Sequence, residues 1–170
     1  RGLPVVEGKH IAPFQVDADR SGKRIPESDA ARILPLRPFD APRLAYRDVA
    51  GAANRLTLIA AVVPPGVVTT HTLFCLRSRI GIDRQNFLCA LFNSSTLNRA
   101  VRMLMGSHVT TGLVEHLPVP LWTGDREQLD LSELAADLAA GPAPDESHRR
   151  NLQQEIDARV GRLYNPPRGA

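Results

Sequence analysis

The chain has 170 residues, 43% of them hydrophobic and 23% charged, with a net charge of +3. That balance belongs to an ordinary folded domain and not to a disordered segment. No stretch approaches the ~18 continuous apolar residues of a membrane span, and no basic segment precedes an apolar run as in a signal peptide.

The first forty residues are turn-rich, punctuated by Pro4, Gly8, Pro13, Gly22, Pro26, Pro35 and Pro38. Only residues 3–6 and 33–36 look strand-like there, and polar residues 17–29 read as an exposed loop. In Arg43-Leu44-Ala45-Tyr46-Arg47-Asp48-Val49, alternation places Leu44 and Tyr46 on one face, and Ala45 and Arg47 on the other. After a turn at 51–54, residues 56–63 form a nearly continuous apolar run closed by Pro64-Pro65-Gly66. That pattern predicts a buried strand. Residues 67–70 lead into a second such strand at 71–77, and the two are expected to pair antiparallel.

From Asp83 the period changes. Phe87, Leu88, Leu91, Phe92, Leu97, Val101, Leu104 and Met105 recur at helical spacing. One long helix is expected, with a possible break near Asn93-Ser94-Ser95, capped by Asp83 and stopped by Gly106. Residues 107–111 are β-prone, 113–117 suggest a helical turn, and 118–122 an extended segment. Residues 125–140 and 145–164 read as two helices separated by Gly141-Pro142-Ala143-Pro144. The expected architecture is α+β, a mixed and mostly antiparallel sheet with a central helix and a helical C-terminal tail. Residues 1–124 form the α+β core in this reading, and 125–170 a helical segment packed on the same domain.

Cys75 and Cys89 sit inside apolar runs and are expected to be free thiols of a cytoplasmic protein. The opening residue is Arg1, which points to a fragment of a longer chain. Charge is uneven: residues 1–124 carry 15 basic and 9 acidic side chains, and residues 125–170 carry 6 and 9. Of the 21 basic residues only Lys9 and Lys23 are lysine. Arginine suits bidentate contacts to phosphate and guanine, although GC-rich coding produces the same bias.

The catalytic inventory is empty. Asn165-Pro166-Pro167 is followed by Arg168 where the catalytic motif of amino-methylating DNA methyltransferases has an aromatic residue. No strand precedes it and no glycine-rich cofactor turn exists, so it reads as a proline stop after a helix. The five histidines lack metal-ligand spacing, and Asp83 is the only carboxylate between residues 49 and 114. What remains is polar chemistry at strand ends: Thr69-Thr70-His71-Thr72, Ser107-His108-Val109-Thr110, Lys9-His10, Arg43, Arg47 and Arg77. Hydroxyls, imidazoles and guanidiniums on loops are the groups that meet phosphates and base edges. Each is also at home as a solvated turn or a satisfied strand end.

Several short motifs form an ordered set: Leu-Pro-Val-Val-Glu-Gly-Lys-His-Ile at 3–11, residues 43–49, and 55–76 with Pro-Pro-Gly-Val and His-Thr-Leu-Phe-Cys-Leu. Residues 108–120 complete it with His-Val-Thr and Leu-Pro-Val-Pro. The set resembles the C-terminal target-recognition domain of Taq-type adenine-specific DNA methyltransferases. Related domains occur in fused restriction–modification proteins with an Eco57-like methylase. Such proteins more often end Leu-Tyr-Gly-Leu than Leu163-Tyr164-Asn165-Pro166. The resemblance implies a division of labour. A covalently linked N-terminal methyltransferase domain would bind S-adenosylmethionine and flip the adenine. This chain would hold no cofactor, have no activity of its own and choose the site on double-stranded DNA. The alternatives are a protein-interaction domain using the acidic C-terminal helices, and a free-standing small-molecule enzyme.

Overall fold

The computed structural model describes residues 2–48, 55–77, 79–104, 108–141 and 145–165. The fold is α+β, with mixed and antiparallel sheets and six α-helices among the described residues. Its organising strand is β5 (Arg43–Arg47), preceded by four short strands: β1 (Leu3–Val6), β2 (Ile11–Ala12), β3 (Gln15–Val16) and β4 (Arg24–Ile25). On one side β5 pairs antiparallel with β6 (Ala60–Val63), and on the other, also antiparallel, with β8 (Leu73–Cys75). Alternation along β5 works as expected. Leu44 and Tyr46 enter the large core, while Ala45 enters a second one with Val6, Ile11, Ile59, Ala61, Val63, Val67 and Leu73.

The expected antiparallel pairing between the runs at 56–63 and 71–77 is corrected. Those strands never meet, because β5 lies between them. Pro64 and Pro65 have no N–H to continue a ladder. Gly66, with φ of 78°, turns the chain and donates its N–H to the Phe39 carbonyl at 2.7 Å. The chain then crosses to a different sheet, where β7 (Val68–Thr69) pairs parallel with β1. It turns at residues 70–72 and returns as β8.

Residues 56–59 are buried but do not extend the strand, contrary to expectation. The buried Asn98 carboxamide oxygen accepts from the amides of Thr57 and Leu58, at 2.7 Å each, in place of a neighbouring strand. Asn93 grips Ala60 from both sides, accepting from its amide at 3.0 Å and donating to its carbonyl at 2.8 Å. Asn93 stands at the break that divides the central helix into α2 (Ile82–Phe92) and α3 (Ser95–Leu104). Asn98 sits in the first turn of α3, donating back to the carbonyls of Phe92 and Ser94. Gly81, not Asp83, is the N-cap of α2, and Leu104 faces solvent at 63% exposure instead of the core.

Three further expectations change near the N-terminus and before the tail. Residues 33–36 are not a strand, since a helix, α1 (Glu27–Ile33), ends there. Together with β4 it also occupies part of the expected loop at 17–29. Residues 108–110 form no strand, and Thr110 instead caps α4 (Thr111–Glu115) by accepting from the Leu113 amide. The stop at Gly106 lies outside the described residues.

The tail forms α5 (Arg126–Ala139) and α6 (Glu146–Tyr164). Asp125 and Asp145 cap them, accepting from the amides of Gln128 and Ser147. Leu131, Ala135, Leu138, Ile156 and Val160 join Phe87, Leu91, Phe92 and Leu44 in one core. Among the described residues, no helix is long and apolar enough to cross a membrane.

Candidate nucleic-acid interface

The C-terminal end of β5 gathers polar groups from four segments. The Asp48 amide donates to the Thr72 carbonyl at 3.2 Å, and the Asp48 carbonyl accepts from the Val109 amide at 3.1 Å. The two His-with-Thr segments, 37 positions apart at His71 and His108, therefore converge on one aspartate. His108 Nδ1 lies 3.7 Å from the Asp48 carboxylate, and His71 is exposed at the turn between β7 and β8. Against this end packs the 3₁₀ turn Gly8–His10, where the Gly8 amide donates to Thr72 Oγ1 at 2.9 Å. Thr72 Oγ1 also lies 3.0 Å from Thr70 Oγ1.

A surface pocket of about 310 Å³ opens here, lined by Glu7, Gly8, Lys9, Arg47 and Thr72. Lys9 is exposed and pairs with Glu7 at 3.0 Å, and Lys23 reaches the other oxygen of the same carboxylate. Hydrogen bonds from Lys23 and then Lys9 hold the Glu7 carboxyl at about 2, well below its ordinary value. Arg47 is half-buried and donates through Nη2 to the Ile11 carbonyl. Burial lowers its pKa.

Other members of the expected set lie elsewhere. Arg43 is buried and donates to the carbonyls of Val67, at 2.7 Å, and Pro38, at 3.2 Å. His10 is buried, and its Nδ1 accepts from the Glu7 amide at 3.0 Å. A guanidinium and an imidazole occupied by backbone groups inside the fold are not presented to a groove. His10 braces the turn at the rim, and Arg43 ties the segments at Pro38 and Val67 at the other end of β5. Thr69 is half-buried beside Cys75, with Oγ1 3.5 Å from Sγ. Thr110 is exposed and serves as a cap. Arg77 is exposed beyond β8, and Ser107 lies outside the described residues. Sequence reasoning missed Glu7, Gly8, Lys23 and Asp48. A lone carboxylate or glycine in a turn carries no signal until distant segments meet on it.

The acidic tail is largely neutralised within itself. Arg159 contacts Glu127, Asp130 and Glu155 at 2.9, 3.1 and 2.7 Å, and Arg126 contacts Asp130 at 2.7 Å. Asn165 is the C-cap of α6, and the two prolines after it lie outside the described residues. Among the described residues, no group of His, Cys, Asp and Glu is placed to hold a metal ion. Compared with models of known protein families the chain matches none, and no curated protein matches it in sequence.

Proposed function

We propose that this chain is the sequence-reading domain of a site-specific adenine-N6 DNA methyltransferase or combined restriction–modification protein. In this reading, the Asp48 end of β5 faces duplex DNA. The observation that carries it is the convergence there of Lys9, Arg47, His71, Thr72 and His108 from separate segments. Ammonium and guanidinium groups meet phosphates and guanines, and hydroxyls and imidazoles meet base edges. The ordered motifs at 3–11, 43–49, 55–76 and 108–120 support the same role by resemblance.

S-adenosylmethionine and the flipped adenine then belong to a covalently linked N-terminal methyltransferase domain in the cytoplasm, and this chain selects the site without catalysing. A gel-shift series with pooled duplexes over a salt gradient tests the reading. Affinity should fall steeply, with a log–log slope of roughly 0.9 per phosphate contacted. Failure to retain any duplex at low salt would remove it. Calorimetry with S-adenosylmethionine should show no binding to the 170-residue chain.

A further inference from the structure

Arg47 is the anomalous member of the rim. Its Nε is buried without a hydrogen-bond partner, and its guanidinium has the Ile11 carbonyl but no carboxylate partner among the described residues. A half-buried cation without a counter-charge is a costly arrangement, because its lost hydration is not replaced. The pocket beside it, about 310 Å³, lies at the small end of the range for ligand pockets.

Glu7 lines the same pocket but is held by Lys9 and Lys23. Among the lining residues Lys9 and Arg47 are two cations against one carboxylate, a net of one positive charge, and Lys23 holds Glu7 from outside the lining. Lys9 uses one donor on Glu7 and keeps two. Thr72 Oγ1 accepts from the Gly8 amide and shares a hydrogen bond with Thr70 Oγ1 in which either hydroxyl can donate; when Thr70 donates, Thr72 has its own proton to give. Glycine at position 8 permits this closeness. A Cβ there would stand 3.3 Å from the Thr72 carbonyl oxygen, tighter than ordinary packing.

We propose that the pocket is a phosphate-binding subsite, with Arg47 and Lys9 as its charged ligands and the Thr72 hydroxyl as a neutral donor. Glu7 is a positioning residue that keeps Lys9 at the mouth. The inference rests on the DNA-reading proposal only for the source of the phosphate. A backbone phosphodiester and a free phosphate offer the same oxygens, and charge-assisted hydrogen bonds suit both.

The test follows the Gly8 and Thr72 amide resonances of the whole chain at constant ionic strength. The chain is titrated with inorganic phosphate and, separately, with random-sequence duplex DNA. Both should move these resonances. Arg47→Lys, which loses the guanidinium fork, should weaken both about tenfold, the worth of one charged hydrogen bond. Lys9→Ala should weaken both several-fold. The Lys9 side chain is 69% exposed, so this variant decides the matter even if Arg47→Lys does not fold. If phosphate binds and duplex does not, the pocket stands with a small phosphorylated ligand and the DNA reading fails. If duplex binds while both resonances stay still and both variants match wild type, the pocket is overturned and the DNA reading survives. Silence toward both probes overturns the pocket.

Discussion

The Gly8 amide and the Thr72 hydroxyl oxygen meet at 2.9 Å across 64 positions of sequence. That bond ties the turn after β1 to the turn before β8, and so joins two sheets at the rim of the pocket. Thr72→Val keeps the shape and removes the acceptor, leaving a part-buried N–H unpaired. The expected loss is about 1–2 kcal/mol, read as a lower urea midpoint at unchanged slope. An unchanged midpoint would mean that the two turns hold together without this bond.

Asn98 carries more. Its side chain accepts from two buried amides, Thr57 and Leu58, and donates to the carbonyls of Phe92 and Ser94 at 2.8 and 2.9 Å. Asn98→Ala orphans buried donors at about 1–3 kcal/mol apiece, so a total loss above about 2 kcal/mol is expected. Chemical denaturation measures it. A loss typical of a surface substitution would show that residues 56–59 re-pair by themselves.

Leu131 on α5 is fully buried in the same core as Phe87 and Leu44. Leu131→Ala should cost about 2–5 kcal/mol and shift one cooperative transition monitored by both far-ultraviolet circular dichroism and Trp122 fluorescence. Separate transitions for the two signals would mean that the C-terminal helices fold as their own unit.

Stability should respond to pH at both extremes. Glu7 is held at about 2 by its lysine partners, below its ordinary 4.5. Its contribution is therefore complete above 4.5 and lost as pH falls through about 2. Burial pushes the Cys89 thiol from 9.0 up to about 12 and the Tyr46 hydroxyl from 10.0 up to about 12. The folded state keeps those protons longer than the unfolded one, so stability falls as pH rises from 9 toward 12. Melting temperatures across this range should trace both limbs. Glu7→Gln should flatten the acid limb alone.

His71 is exposed at the turn between β7 and β8, with no hydrogen bond or ion pair to other described residues. His71→Ala should leave thermal stability within about 0.5 kcal/mol of wild type, as for most surface substitutions. If the proposed function holds, the same substitution in the linked methyltransferase changes methylation site preference. Unchanged preference with unchanged stability would remove His71 from the proposed interface.

The helices of the tail, the break near Asn93, the faces of β5 and the α+β class were readable from sequence. They depend on chemistry acting over a few positions: a glycine–proline interruption, a strand alternation, an apolar period. The partners of residues 56–63 and 71–77 were not readable. Asn98 satisfies the first segment from 40 and 41 positions away, and β5 separates the two. Arginines at 43 and 47 look equivalent in sequence, two steps apart on one face of one strand. Only the tertiary structure buries Arg43 against the carbonyls of Pro38 and Val67 and leaves Arg47 at a pocket with a donor unpaired. Whether a polar side chain serves the fold or faces outward depends on which distant backbone groups need it, and that is decided when the segments meet.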